Sequence, residues 1–120
     1  MISNAHRELA EAQFDLLQMM FEEDGWTVFV SKKKNSKLLG QVVHEKNRVV
    51  VYALAHLGGA AGSMARTLLH EQIHAILGMS VKDEREEALV ILIENGMFDA
   101  IDEKRINTLE YLLKNGGLKM

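Results

Sequence analysis

The run "ARTLLHEQIHAILGM", residues 65–79, sets two histidines four residues apart inside an otherwise apolar stretch. Leu68, Leu69, Ile73, Ile76 and Leu77 recur at three- and four-residue intervals, the spacing of one helical face. On such a helix, positions four apart differ by about 40° around the axis and about 6 Å along it. His70 and His74 therefore point the same way, and Glu71 projects about 100° further round. Leucine would pack better at these positions, because polar groups buried in one turn without partners are unfavourable. Either the three are incidental core and surface residues, or they are held there to grip something.

The rest of the chain supplies the frame. Residues 4–22, "NAHRELAEAQFDLLQMMFE", space Leu9, Leu16, Leu17, Met20 and Phe21 as an amphipathic helix, ended near Asp24-Gly25. "WTVFVS", residues 26–31, reads as a strand and "SKKKNSK" as a polar loop. "LLGQVVH" and "RVVVYAL" are β-branched runs flanking "EKN", a hairpin turn in which Asn47 tolerates positive φ. A glycine-rich linker, "LGGAAGS", leads into the histidine helix, with Ser63 its expected N-cap and Gly78 its stop. Ser80 with Asp83 resembles a capping box for a third helix running to about Asn95 and closed by Gly96. Asp99 is the expected cap of a fourth helix, with Ile106, Leu109, Leu112 and Leu113 as its buried stripe and Gly116-Gly117 as its end. The order is helix, three strands, three helices, an α+β fold in one domain over residues 1–120.

Composition narrows the chemistry. There is no cysteine, so disulfides and thiolate ligands are excluded and any metal must be held by histidine and carboxylate. No apolar run approaches the roughly 20 residues that span a bilayer. The opening "MISNAHRELAEAQF" lacks the basic-then-apolar order of a secretion signal, giving a cytoplasmic expectation. The net charge of -3 argues against nucleic acid bound by the whole surface. Lys32, Lys33, Lys34 and Lys37 lack interleaved aromatic residues and read as a solvated loop. His6 and His44 have no ligand-type neighbours and read as surface residues. The seven methionines, Met19 and Met20 among them, read as core fillers.

His70, Glu71 and His74 make the H-E-x-x-H pattern, in which two imidazoles meet one zinc ion and the glutamate acts as general base. A catalytic zinc needs a third protein ligand and an open position. A metzincin would continue with glycine at 77 and histidine at 80, where this chain has Leu77 and Ser80. A carboxylate from the next helix is the other common third ligand, and Asp83, Glu84, Glu86, Glu87 and Glu94 are on offer.

"TLLHEQIHAILG", followed by "EREEALVILIENGMF" and preceded by "LLGQVVHEKNRVVVYAL", resembles the compact gluzincin-type zinc peptidases, over roughly residues 26–98. These are the minigluzincins and small phage and mobile-element metallopeptidase domains, with ImmA/IrrE and SprT-like domains more distant. The resemblance implies a zincin-like fold with an active-site helix followed by a glutamate helix. It implies zinc held by His70, His74 and Glu87, with Glu86 the second choice, and Glu71 as base for hydrolysis of a peptide or protein substrate. It also implies that residues 49–54 form an edge strand along the cleft, to which an extended peptide adds. Tyr52, His56 and Arg66 are candidates to steady the oxyanion.

Two departures stand out: Gln72 replaces the usual aliphatic residue and is expected to face outward, and the loop between the metal helices is short. A non-catalytic zinc-bearing binding or regulatory module of a phage or mobile element is the alternative function. A latent enzyme whose C-terminal helix covers the cleft is a third.

Overall fold

The computed structural model describes residues 3–34, 37–56, 63–77 and 84–115. The expected capping box at Ser80 and Asp83, the stop at Gly78 and the end at Gly116-Gly117 lie outside these residues. The fold is α+β, with four helices and a three-stranded mixed sheet. Among the described residues, no helix is long and apolar enough to cross a membrane.

Helix α1 spans Asn4–Glu23, started by Ser3, whose hydroxyl accepts from the backbone N–H of His6. It ends in a Schellman turn: Gly25 takes φ +78°, its N–H donates to the Glu22 carbonyl, and the Trp26 N–H donates to that of Phe21. The Phe21 and Trp26 rings stack across this turn, the apolar contact that accompanies the motif. The buried stripe is Ala10, Phe14, Leu17 and Phe21. Leu9, Leu16, Met19 and Met20 are exposed, so the α1 stripe expected from the sequence is corrected and these two methionines fill no core gap. Helix α1 carries two overlapping apolar faces, and the one with the aromatic rings wins the core.

Strands β1 (Thr27–Ser31), β2 (Gly40–Val43) and β3 (Arg48–Tyr52) are ordered β1-β3-β2. β1 runs parallel to β3, and β2 antiparallel to it. The turn between β2 and β3 closes through Asn47 in the left-handed region, φ 47° and ψ 54°, as the sequence leads one to expect. Val28, Val30, Val49 and Val51 face the helices. On the opposite face, Arg48 stacks over Phe29 and the Tyr52 hydroxyl donates to Gln41. Residues 49–54 were expected at the sheet edge, but β3 is the central strand and β2 is the edge that lies against helix α2. The parallel pairing of β1 with β3 displaces β2 outward.

Helix α2 (Ser63–Leu77) packs against α1, α3 (Glu84–Phe98), α4 (Glu103–Lys114) and the sheet. Leu68, Leu69 and Ile73 anchor it, each no more than 3% exposed. Its start is not capped by Ser63, which is already helical. The Glu110 carboxylate on α4 accepts from the backbone N–H groups of Met64 and Ala65, at 3.4 and 2.8 Å. Helix α4 crosses this end of α2 closely enough for a long acidic side chain to reach the free donors there.

Helix α3 runs through Gly96 to Phe98 instead of stopping at Gly96, and among the described residues no packed neighbour lies within 4 Å of where a Cβ would stand. The cap of α4 is Asp102, whose carboxylate accepts from the Lys104 N–H, and not Asp99. Ile106 and Leu113 are buried on α4, whereas Leu112 is partly exposed. Asp102 also donates its N–H to Glu11 on α1, and Arg105 pairs with Glu11 and Asp15 while stacking over Phe14. Burial works against the Arg105 charge, but Asp15 and Glu11 outweigh it and raise its pKa.

Candidate metal centre

Helices α2 and α3 meet along a polar stripe. On α2 it consists of Arg66, His70 and His74, each four residues from the next and therefore stacked on one face. On α3 it consists of Glu86, Glu87, Glu94 and Asn95. The His70 and His74 rings lie edge to face with centroids 5.0 Å apart.

Each ring is held at both nitrogens. Nδ1 of His70 lies 2.5 Å from Glu94 Oε1, and Nδ1 of His74 lies 2.8 Å from Glu86 Oε1. Both Nε2 atoms face one carboxylate, Glu87, at 2.8 Å for His70 and 3.2 Å for His74. Glu86 and Glu94 are buried, while Glu87 is half exposed. The two adjacent acids thus divide the work. Glu87 turns to the open side where both Nε2 atoms converge, and Glu86 turns inward to the back of His74.

A neutral imidazole has one N–H and one lone pair. With Nδ1–H donating to the buried carboxylates, both Nε2 lone pairs are aimed at Glu87 oxygens, an arrangement that calls for positive charge between them. Glu86, Glu87 and Glu94, with Asp99 also drawing on Arg66, leave an excess of negative charge around neutral histidines, which a cation would offset. Among the described residues, ligand atoms of His70, His74 and Glu87 all lie within 4.8 Å of one another. Zinc bonded at about 2.0–2.2 Å to tetrahedral ligands needs ligand atoms roughly 3.3–3.6 Å apart, so the group could hold such an ion after a small adjustment. The buried carboxylates behind both rings are the support that metal-bound histidines usually have.

Glu71 lies on the neighbouring face of α2 and lines a cleft of about 440 Å³ with His70, Thr67, His56, Leu39 and Gly40. One wall of the cleft is the start of β2. A Cβ at Gly40 would come within 2.7 Å of Thr67 Cγ2, 2.9 Å of the Val50 carbonyl and 3.1 Å of Glu71 Cγ. Only glycine lets the edge strand lie this close to the helix.

The other candidates divide. His56 lines the cleft with Nε2 donating to the Leu39 carbonyl at 3.3 Å, which leaves Nδ1 to accept from Ser63 at 3.2 Å. Tyr52 bonds Gln41 on the sheet and does not line the cleft. The Arg66 guanidinium is engaged by Glu94, Asn95 and Asp99 and stacks over Phe98. Gln72 does not face outward as expected. It is 1% exposed and exchanges two hydrogen bonds with Gln18 of α1, at 2.8 and 2.9 Å. The amide pair satisfies in the core what an aliphatic residue would fill by packing. No described residue of α4 lines the cleft.

Sequence reasoning included Glu94 among the carboxylates on offer but gave it no role. It missed Leu39, Gly40 and Thr67, for which a lone glycine inside a strand pattern is the available signal of close backbone approach. Comparison with protein-family models, curated proteins and solved structures finds no match for the chain.

Proposed function

We propose that this protein is a zinc-dependent metallopeptidase of the gluzincin type, with zinc held by His70, His74 and Glu87 and with Glu71 as general base. The observation that carries this reading is the convergence of two Nε2 atoms on one half-exposed carboxylate, with a buried carboxylate behind each ring. A structural ion ladder would need no histidine opening on a cleft lined by a further glutamate, as His70 does beside Glu71.

Zinc held by His70, His74 and Glu87 would supply Lewis acidity, toward water near neutral pH and toward a carbonyl. Glu71 takes the proton from the attacking water and returns it to the leaving amine. Glu94 and Glu86 hold the ring orientations throughout. An extended peptide added to the β2 edge, in place of the β3 edge expected from sequence, passes Glu71 where Gly40 narrows the gap. Of the oxyanion candidates, His56 and Arg66 line this cleft and Tyr52 does not. A cytoplasmic setting and a mobile-element origin belong to the same proposal and rest on the sequence alone.

Elemental analysis of purified protein should find roughly one zinc per chain, as a single site requires. Glu71→Gln should keep the zinc and lose cleavage of a peptide library. Absence of zinc from the wild type, or cleavage that survives Glu71→Gln, sinks the reading. A zinc-loaded wild type that cleaves nothing would favour the binding module instead.

A further inference from the structure

Arg66 stands one turn before His70 on α2, and its guanidinium is the most heavily engaged group at the site. Nε donates to Glu94 Oε2 at 2.5 Å, while Glu94 Oε1 receives His70 Nδ1 at the same distance. One terminal nitrogen donates to Asn95 and the other to Asp99, and the guanidinium carbon lies 4.8 Å from the centre of the Phe98 ring. Both oxygens of a buried carboxylate are thereby occupied, one by the arginine and one by the histidine.

The matching acid behind His74 has no such clamp. Glu86 is 3% exposed, and its Oε2 makes no hydrogen bond among the described residues. The two rings are therefore supported unequally, His70 through Glu94 and Arg66 in series and His74 through Glu86 alone.

We propose that Arg66 is a positioning residue for the metal centre: by fixing Glu94 from behind, it holds His70 with Nδ1–H directed inward and Nε2 directed at the ion. This rests on the zinc site proposed above. The fork geometry matters, because Nε and a terminal nitrogen act on adjacent side chains of α3 at once, which the point charge of lysine cannot reproduce. A carboxylate left without its arginine would swing or draw in water, and the ring orientation would loosen with it.

The test is zinc affinity by chelator competition, read together with thermal stability of the zinc-free protein. Arg66→Met keeps an apolar stem over Phe98 and removes the charge; it should weaken zinc binding about 10–100-fold, the range for lost outer partners of metal-bound histidines. Arg66→Lys should recover part of that loss. The effects of Arg66→Met and Glu94→Gln should not multiply in the double variant, since both break one chain.

Arg105→Met is the control, because Arg105 also stacks on a ring and pairs with two acids, but between α4 and α1. It should lower stability and leave zinc affinity unchanged. Zinc binding by Arg66→Met within about twofold of wild type, or effects that multiply with Glu94→Gln, would overturn the proposal. Equal losses of affinity in Arg66→Met and Arg105→Met would overturn it too, as a general stability effect. A wild-type protein that binds no zinc removes both this inference and the reading beneath it.

Discussion

Glu86 and Glu87 are adjacent in sequence yet meet the same imidazole from opposite sides, Glu86 at Nδ1 of His74 and Glu87 at Nε2. Successive helical residues point about 100° apart, so one acid of the pair turns into the core while the other faces the opening.

That division ranks their substitutions. Glu86→Gln should weaken zinc binding about 10–100-fold, the effect of losing an outer partner, and Glu87→Ala should weaken it further by removing a ligand. Chelator competition on both variants measures the order, and the reverse order would make Glu86 the ligand.

The Gln18–Gln72 pair makes a prediction about stability alone. Gln18→Ala leaves the buried Gln72 amide without its partner and should cost about 1–3 kcal/mol. Gln72→Leu should cost less, because Gln18 is only partly buried and can turn to water. Urea unfolding of the two variants decides; equal costs would mean that the amide exchange contributes nothing specific.

Gly40→Ala should push β2 away from α2. Its methyl would meet Thr67 Cγ2 at 2.7 Å and the Val50 carbonyl at 2.9 Å, and a backbone atom cannot swing aside. Overpacking of this kind costs about 1–3 kcal/mol. Adding Thr67→Ser should restore only part of the loss. Zinc content should stay at the wild-type level while turnover falls, since the side chains nearest the added methyl are Thr67 and Glu71.

Glu110 caps the helix that carries both histidines, so Glu110→Ala should lower stability by about 1–2 kcal/mol. Deleting residues 99–120 should leave the protein unfolded by circular dichroism, because it removes this cap together with Ile106 and Leu113 from the core. A truncated protein that folds and gains activity would favour the latent-enzyme reading.

Much of the frame was legible in the sequence, where local chemistry decides. Gly25 ends α1, Asn47 turns the hairpin, and the four-residue spacing puts His70 and His74 on one face. What escaped was set by partners distant in the chain. The edge position of β2 follows from β1 pairing parallel with β3, which no short run encodes. The burial of Gln72 depends on Gln18, 54 residues earlier, and the cap on Ala65 on Glu110, 45 residues later. Gly96 looked like a terminator but lies inside α3, where neighbouring contacts outweigh its weak helix propensity. The choice between Glu86 and Glu87 is invisible on an apolar helix until the neighbouring α2 gives it a front and a back.

Helix α2 is enclosed by α1, α3, α4 and the sheet, so its backbone cannot open by itself. Amide hydrogens around His70 and His74 should exchange only as fast as the whole molecule unfolds. The spacing of the two rings then has no private mode of failure, and an ion held at the proposed site would be released through side-chain motion on α3, where Glu87 stands at the surface.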